Sequence, residues 1–577
     1  MATAHEEKPL NWHQSWLPGG LWPAVRKPFY SVVLFSAVAN LLLLTAPLFM
    51  LQIYDRVLTS HSIPTLLALT LLATVLIGFF ALLDMVRQRV LARIGLRVHG
   101  ELASPVFQRA IDLGDGSPEQ RGSDQPLADL NLVRQWLAGS GPVALLDLPW
   151  LPFYLLIIFL LHVWLGVIAT IGALVMLVLT ALNEIIVRGS VMKARAPGQK
   201  SQKTARMSAR NDEAVRAMGM VGALTSRWRR QQVLAQEHQL RGDDGAAGFS
   251  AAIKATRLLL QIILLAFGGY LVIASEMTAG AMIAASIIGA RALAPVEAAA
   301  SQWRQMLEMR GATARLNELL MGGPKPSPVQ LPSPTKTLLL EKMTVIPPGT
   351  TKPALRQISM TLQAGQGLSV VGSCASGKST LARALVGIWP SAMGTIRLDG
   401  ATLNQWSTAE RGRHTGYLPQ DVQLFDGTVA ENIARFEEGV SDEDVVKAAQ
   451  LAGAHDHIVR LSEGYNTRIG DSGMLLSAGQ RQVIGLAWAL FRMPFLIVLD
   501  EPNANLDAEG EAALVRAIRA AREQGSIVVV MAHRPSVVAA TDMTLMLSGG
   551  RMQAFGPRDA VLKKVLAPVG EKKVAAQ

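Results

Sequence analysis

The spacing of apolar positions changes its period partway along the chain. Up to about residue 300, apolar runs recur that are long enough to cross a bilayer, since roughly 20 residues rising about 1.5 Å each span about 30 Å of hydrocarbon. They predict membrane helices at 29–53 (FYSVVLFSAVANLLLLTAPLFMLQI), 63–83, 143–161, 164–187, 258–275 and 279–300. The sixth is rich in alanine and contains Arg291, a pattern that also fits a buried helix of a soluble protein. An amphipathic stretch follows, SQWRQMLEMRGATARLNELL, and then GGPKPSPVQLPSPT at 322–335, whose Pro, Gly and Ser content reads as a linker. Beyond it the apolar runs shorten to strand length and alternate with helical patterns, predicting a soluble α/β domain. The expected organisation is a short segment 1–28, a helical membrane domain 29–321, the linker 322–335 and an α/β domain 336–577.

Composition agrees with a membrane protein: half of the 577 residues are hydrophobic, 17% are charged, and mean hydropathy is +0.28. The net charge of +11 is unevenly placed. Arg87, Arg89, Arg93, Arg97, Arg109, Arg121 and Arg134 fall between the second and third spans, and a longer basic set from Arg188 to Lys254 falls between the fourth and fifth. The linkers on the other side are short and carry only Arg56. Basic loops stay on the cytoplasmic side, so two long cytoplasmic loops and cytoplasmic termini are expected. The charge then reflects topology, and nucleic-acid binding is not expected despite the pI of 9.8. The start, MATAHEEKPLNWHQSWLPGG, lacks the features of a cleaved signal peptide. A single cysteine, Cys374, excludes an intramolecular disulfide and a clustered cysteine metal site.

The α/β half carries the chemistry. GLSVV (367–371) is a buried-strand run, Gly372 to Ser379 fits G-x-x-x-x-G-K-[ST], and STLARALVGIW opens a helix. In such a loop (Gly372, Ser373, Cys374, Ala375, Ser376, Gly377, Lys378, Ser379, Thr380) backbone N–H groups converge on phosphate, and the helix dipole adds positive potential. Lys378 is placed to reach the outer phosphates of ATP and Ser379 to ligate Mg²⁺. A second apolar run, FLIVLDEP (495–502), ends in two carboxylates: Asp500 suits the metal, and Glu501 suits a base that polarises the attacking water.

LSAGQ, residues 476–480, resembles the LSGGQ signature of ATP-binding cassette (ABC) proteins. Gln420 in GYLPQDVQLFDGTVAENIA looks like that family's Q-loop glutamine and metal-side ligand, NANLD (503–507, ending in Asp507) like its D-loop, and His533 in VVVMAHRP like its switch histidine, assisting Glu501 and Lys378. The resemblance implies that Ser477, Ala478, Gly479 and Gln480 of one cassette face the ATP held by a second, hence a homodimer with two shared sites. LFMLQIYDRVLTSHS (48–62), DLPWLPFYLLIIFLLHVWLG (147–166), EAVRAMGMVGALTSRW (213–228) and LDEPNANLDAEGE (499–511) are similar to the PrtD-like exporters of bacterial type I secretion. That likeness implies the ABC exporter fold, six spans fused to an α/β P-loop cassette, in the bacterial inner membrane among its lipids. It implies ATP-driven export of an unfolded protein with a C-terminal signal, through a periplasmic membrane-fusion adaptor and a TolC-like outer-membrane channel.

The sequence departs from the family at Ala375 and Ala478, where glycine is usual, at Cys374, and at Val483 and Trp488, where arginine is usual. MTVIPPG (343–349) offers adenine only aliphatic contact. An added methyl costs on the order of 1 kcal/mol wherever the backbone needs positive φ. Three rivals use parts of the same sequence. A lipid or drug exporter shares the cassette but not the membrane-half motifs. A processing transporter needs a cysteine protease domain, for which Cys374 sits in the wrong place and the segment before the first span is too short. A regulator that only binds nucleotide has no use for Glu501 and His533.

Overall fold

The computed structural model describes residues 22–113, 125–321, 331–470, 473, 475–532 and 534–566. The chain forms two compact units that divide at Gly322. Among the described residues the first contains six helices long and apolar enough to cross a membrane: Val25–Ser60, Ile63–Ile111, Gly141–Leu161, Val163–Ile185, Val221–Ile273 and Ala279–Leu320. Each expected span falls on one of them; the fourth, expected to 187, stays within the longer helix Val163–Arg210, and the fifth, expected to 275, overruns its helix end at Ile273 by two residues. The first is broken, with a turn after Leu42 and a π-helical turn Ile53–Val57.

The two basic segments expected as loops are instead largely helical. The second helix runs 51 residues to Leu113, the fourth 48 residues to Arg210, and the fifth 53 residues from Val221. Hydropathy marks only the stretch that meets lipid. Ala, Leu, Arg, Lys and Gln keep high helix propensity beyond it, so the helix does not end where apolarity does.

Buried polar groups fix the first three spans to one another. Arg87 is 5% exposed and donates to Asp84 (2.6 Å), Asp147 (3.1 Å) and Ser36 (3.1 Å). The Asn40 amide donates to Asp147, and the Tyr154 hydroxyl donates to the Asn40 carbonyl (both 2.8 Å). A charge held away from water persists only when matched in this way. At the opposite end Asp55, in the π-helical turn, accepts from the Thr278 hydroxyl (2.6 Å) and the Gly280 N–H (2.9 Å), capping the last helix. A Cβ at Gly280 would lie 2.6 Å from the Asp55 carboxyl carbon, so this cap requires glycine.

The second unit holds strands β1 (Thr337–Val345), β2 (Leu355–Gln363), β3 (Gly367–Val371), β4 (Met393–Leu398), β5 (Ala401–Thr402), β6 (Thr415–Leu418), β7 (Leu496–Asp500), β8 (Ile527–Met531), β9 (Met543–Ser548) and β10 (Arg551–Pro557). Four form an antiparallel sheet, β2-β1-β4-β5, and six form the sheet β10-β9-β3-β8-β7-β6. In the larger sheet every neighbouring pair is parallel except β10 with β9. Its central strands β7 and β8 are buried throughout, as the unbroken apolar runs of a sheet covered on both faces require. Parallel strands bring the carboxyl ends of β3, β7 and β8 to one edge, where ligands of such sheets bind.

Candidate functional site

The glycine loop joins the end of β3 to the helix Lys378–Leu385. Its tightness is visible at two glycines. A Cβ at Gly372 would collide with the Leu547 carbonyl, and Gly377 has φ +103 with Leu355 2.7 Å from where a Cβ would sit. Lys378 is 6% exposed and donates to the carbonyls of Gly372 (2.8 Å) and Ser373 (3.0 Å), which fixes its ammonium within the loop. The Ser376 N–H donates to the Ser373 carbonyl, Cys374 is exposed, and Ser379 and Thr380 lie in the first helical turn.

Ala375 has φ +61, the left-handed region that favours glycine, so here the cost of the methyl anticipated from sequence applies. At Ala478 it does not. That residue opens the helix Ala478–Leu490, where alanine is preferred over glycine. Ala375→Gly is therefore expected to stabilise the cassette by about 0.5–1 kcal/mol and to leave nucleotide binding intact. Thermal unfolding of the purified parent and variant checks this, and an unchanged or lower Tm contradicts it.

The acids stand at the end of β7. Asp500 is 1% exposed and accepts a hydrogen bond from the Ser379 hydroxyl at 3.2 Å. Burial raises its carboxyl above the ordinary value, and neighbouring Glu501 adds to this, while the Ser379 hydrogen bond, Arg383 and Lys378 pull the other way. Two hard oxygen donors facing each other, one of them a buried carboxylate, suit Mg²⁺. Glu501 carries φ +53, strained for a residue with a side chain, and its N–H donates to the Met531 carbonyl at the end of β8. The Gln420 amide donates to the Glu501 carboxylate at 2.9 Å, so the structure brings Gln420, Ser379, Asp500 and Glu501 into one chain of contacts. His533 lies outside the described residues.

Ser477 caps the helix Ala478–Leu490. Its hydroxyl accepts from the Gln480 N–H (3.2 Å), and the Gln480 side chain accepts from the Ser477 N–H (2.9 Å). Ser477 and Ala478 are exposed, leaving the positive end of the helix dipole open. A Cβ at Gly479 would come within 3.0 Å of the Asn505 carbonyl, so the two loops touch only because 479 is glycine. Asp507 caps the helix Ala508–Glu523 by accepting from the Gly510 N–H (2.8 Å).

Two supporting residues escaped the sequence reading. Gln482 donates to the Pro502 carbonyl (2.9 Å), tying the signature helix to the segment after Glu501. Arg435 donates to the carbonyls of Trp488, Ala489, Gly412 and Thr415, gripping the C-terminal end of that same helix. Burial pushes its guanidinium down to about 10. An arginine matched by carbonyls rather than acids leaves no mark in the sequence. In the segment 343–349, expected to offer adenine aliphatic contact, Met343 and Val345 are core residues, and of its large apolar residues Ile346 is the exposed one.

Residues 29–289 match the ABC transporter transmembrane region and residues 355–504 the ABC transporter family. The chain is 46% identical over 544 residues to the type I secretion system ATP-binding protein PrsD of Rhizobium meliloti (strain 1021), covering 94% of each. It is 27% identical to the alpha-hemolysin translocation ATP-binding protein HlyB of Escherichia coli, over 93% of this chain and 77% of that one. A bacterial Atm1-family ABC exporter solved with ATP bound superposes with a TM-score of 0.82 at 22% identity, over 94% of this chain and 97% of that one, a likeness of fold.

Proposed function

Because this chain belongs to the ABC transporters, and within them to the type I secretion ATP-binding proteins, we propose that it hydrolyses ATP to export an unfolded polypeptide carrying a C-terminal signal. The observation that carries the reading is the joining of two things in one chain: six helices long and apolar enough to cross a membrane, and a glycine loop whose Ser379 bonds Asp500, the first of two strand-end carboxylates. The protein is a multi-pass membrane ATPase. In the proposed arrangement two copies pair, the cassettes and both termini face the cytoplasm, and a periplasmic adaptor and an outer-membrane channel complete the route.

Each residue has a role in the proposed cycle. The loop N–H groups and Lys378 hold the β- and γ-phosphates of ATP, and Ile346 contacts the adenine. Ser379, Asp500 and the Gln420 side-chain oxygen would hold Mg²⁺, which neutralises charge developing on the phosphates. Glu501 accepts the proton of the attacking water, the step in which the family resemblance has His533 assist. For Gln420 to turn toward the metal, its hydrogen bond to Glu501 must break, which frees the carboxylate for that proton. Ser477 and Gly479 of the second copy close the site over the γ-phosphate, with Asp507 and Gln480 holding the two loops that do so.

Deleting the gene tests the class of substrate. At least one polypeptide is expected to fall tenfold or more in the culture medium and to return when the parent chain is restored. Unchanged medium proteins, together with a changed lipid or small-molecule efflux, contradict protein export.

A further inference from the structure

The last membrane helix carries a charge that the rest of the unit does not account for. Arg87 is matched by Asp84 and Asp147, and Arg257 by Glu297 at 2.9 Å. Arg291 is exposed on the surface of the six-helix unit, and no hydrogen bond or ion pair joins it to any of the described residues. The helix starts at Ala279, twelve residues earlier (291 − 279), which places Arg291 roughly 18 Å along a crossing of about 30 Å. That is close to the midplane. Helical side chains also lean toward the N-terminus, here away from the nearer boundary, so the guanidinium cannot snorkel to it.

An arginine at that depth is not left facing lipid tails; such residues turn to a water-filled cavity or to another protein surface. The residues beside it on the same side, Ile287, Ala290, Ala294 and Ala298, are only half-buried, and three of them are small, which leaves the guanidinium room.

We propose that Arg291 lines an aqueous path through the membrane, on the face turned toward a second copy of this chain, and binds carboxylate side chains of the polypeptide in transit. The proposal rests on the exporter reading above and names the chemistry its path prefers.

The test uses the full chain with Cys374→Ser in inverted membrane vesicles. Arg291→Cys is expected to react within minutes with a membrane-impermeant anionic methanethiosulfonate, while Leu67→Cys, exposed on the apolar second span, stays unreactive. Polyglutamate serves as the acidic probe for stimulation of ATP hydrolysis. Its half-maximal concentration should rise at least tenfold in Arg291→Glu and change less than threefold in Arg291→Lys. A cysteine at 291 as unreactive as one at 67, which is the result if Arg291 meets lipid or pairs with an acid of the second copy, overturns the proposal. So does an equal response of Arg291→Glu and the parent to polyglutamate. Absence of ATP hydrolysis in the parent vesicles would instead overturn the exporter reading itself.

Discussion

Glu501→Gln is expected to lower the rate of ATP hydrolysis by about 10²–10⁴-fold while Mg-ATP still binds. The amide has the shape of the carboxylate but cannot take a proton from water. The cradle that holds the nucleotide depends on other groups: the loop backbone, Lys378 with its bonds to the Gly372 and Ser373 carbonyls, and the Ser379–Asp500 pair. Binding and turnover should therefore separate. Parallel measurement of nucleotide affinity and steady-state hydrolysis in detergent checks this, and a variant as fast as the parent removes Glu501 from the role of base.

The second large effect concerns the sharing of sites between chains. Ser477 and Ala478 are exposed, so their own chain does not cover the open end of that helix. Lys378→Ala and Ser477→Arg each damage both sites of a homodimer. A mixed dimer of the two concentrates the damage in one site and leaves the other intact. Mixed dimers isolated through two different tags are expected to trap about one Mg-ATP each and to recover hydrolysis at least tenfold above either variant alone. Mixed dimers that trap none contradict the shared site, as does a strictly monomeric preparation with the full parent rate.

The spans were legible because lipid demands a long unbroken apolar run, a signal clear in the first four and weakest in the sixth, whose alanines and Arg291 also fit a buried soluble helix. Their continuation far beyond the membrane was not, because the extensions are polar and hydropathy says nothing about where a polar helix stops. The loop and the strand-end acids were legible as motifs in order, each with the strand before it. The left-handed backbone at Ala375 followed from the glycine expected there. Other features depend on distant parts of the chain meeting. Asp55 caps a helix 225 residues away, and Arg435 grips carbonyls up to 54 residues away, pairings no local pattern encodes. One local signal was present and missed: Ser477 and Gln480 have the spacing of a capping box, which the structure forms.

The central claim is that hydrolysis at Glu501 moves polypeptide across the membrane. It is tested most directly in cells whose only copy of the chain carries Glu501→Gln, present in the membrane at the parent level, by measuring the exported polypeptide in medium and cells. Medium levels are predicted to fall about a hundredfold or more, with the full-length polypeptide accumulating inside; medium levels equal to those of the parent strain would contradict the account.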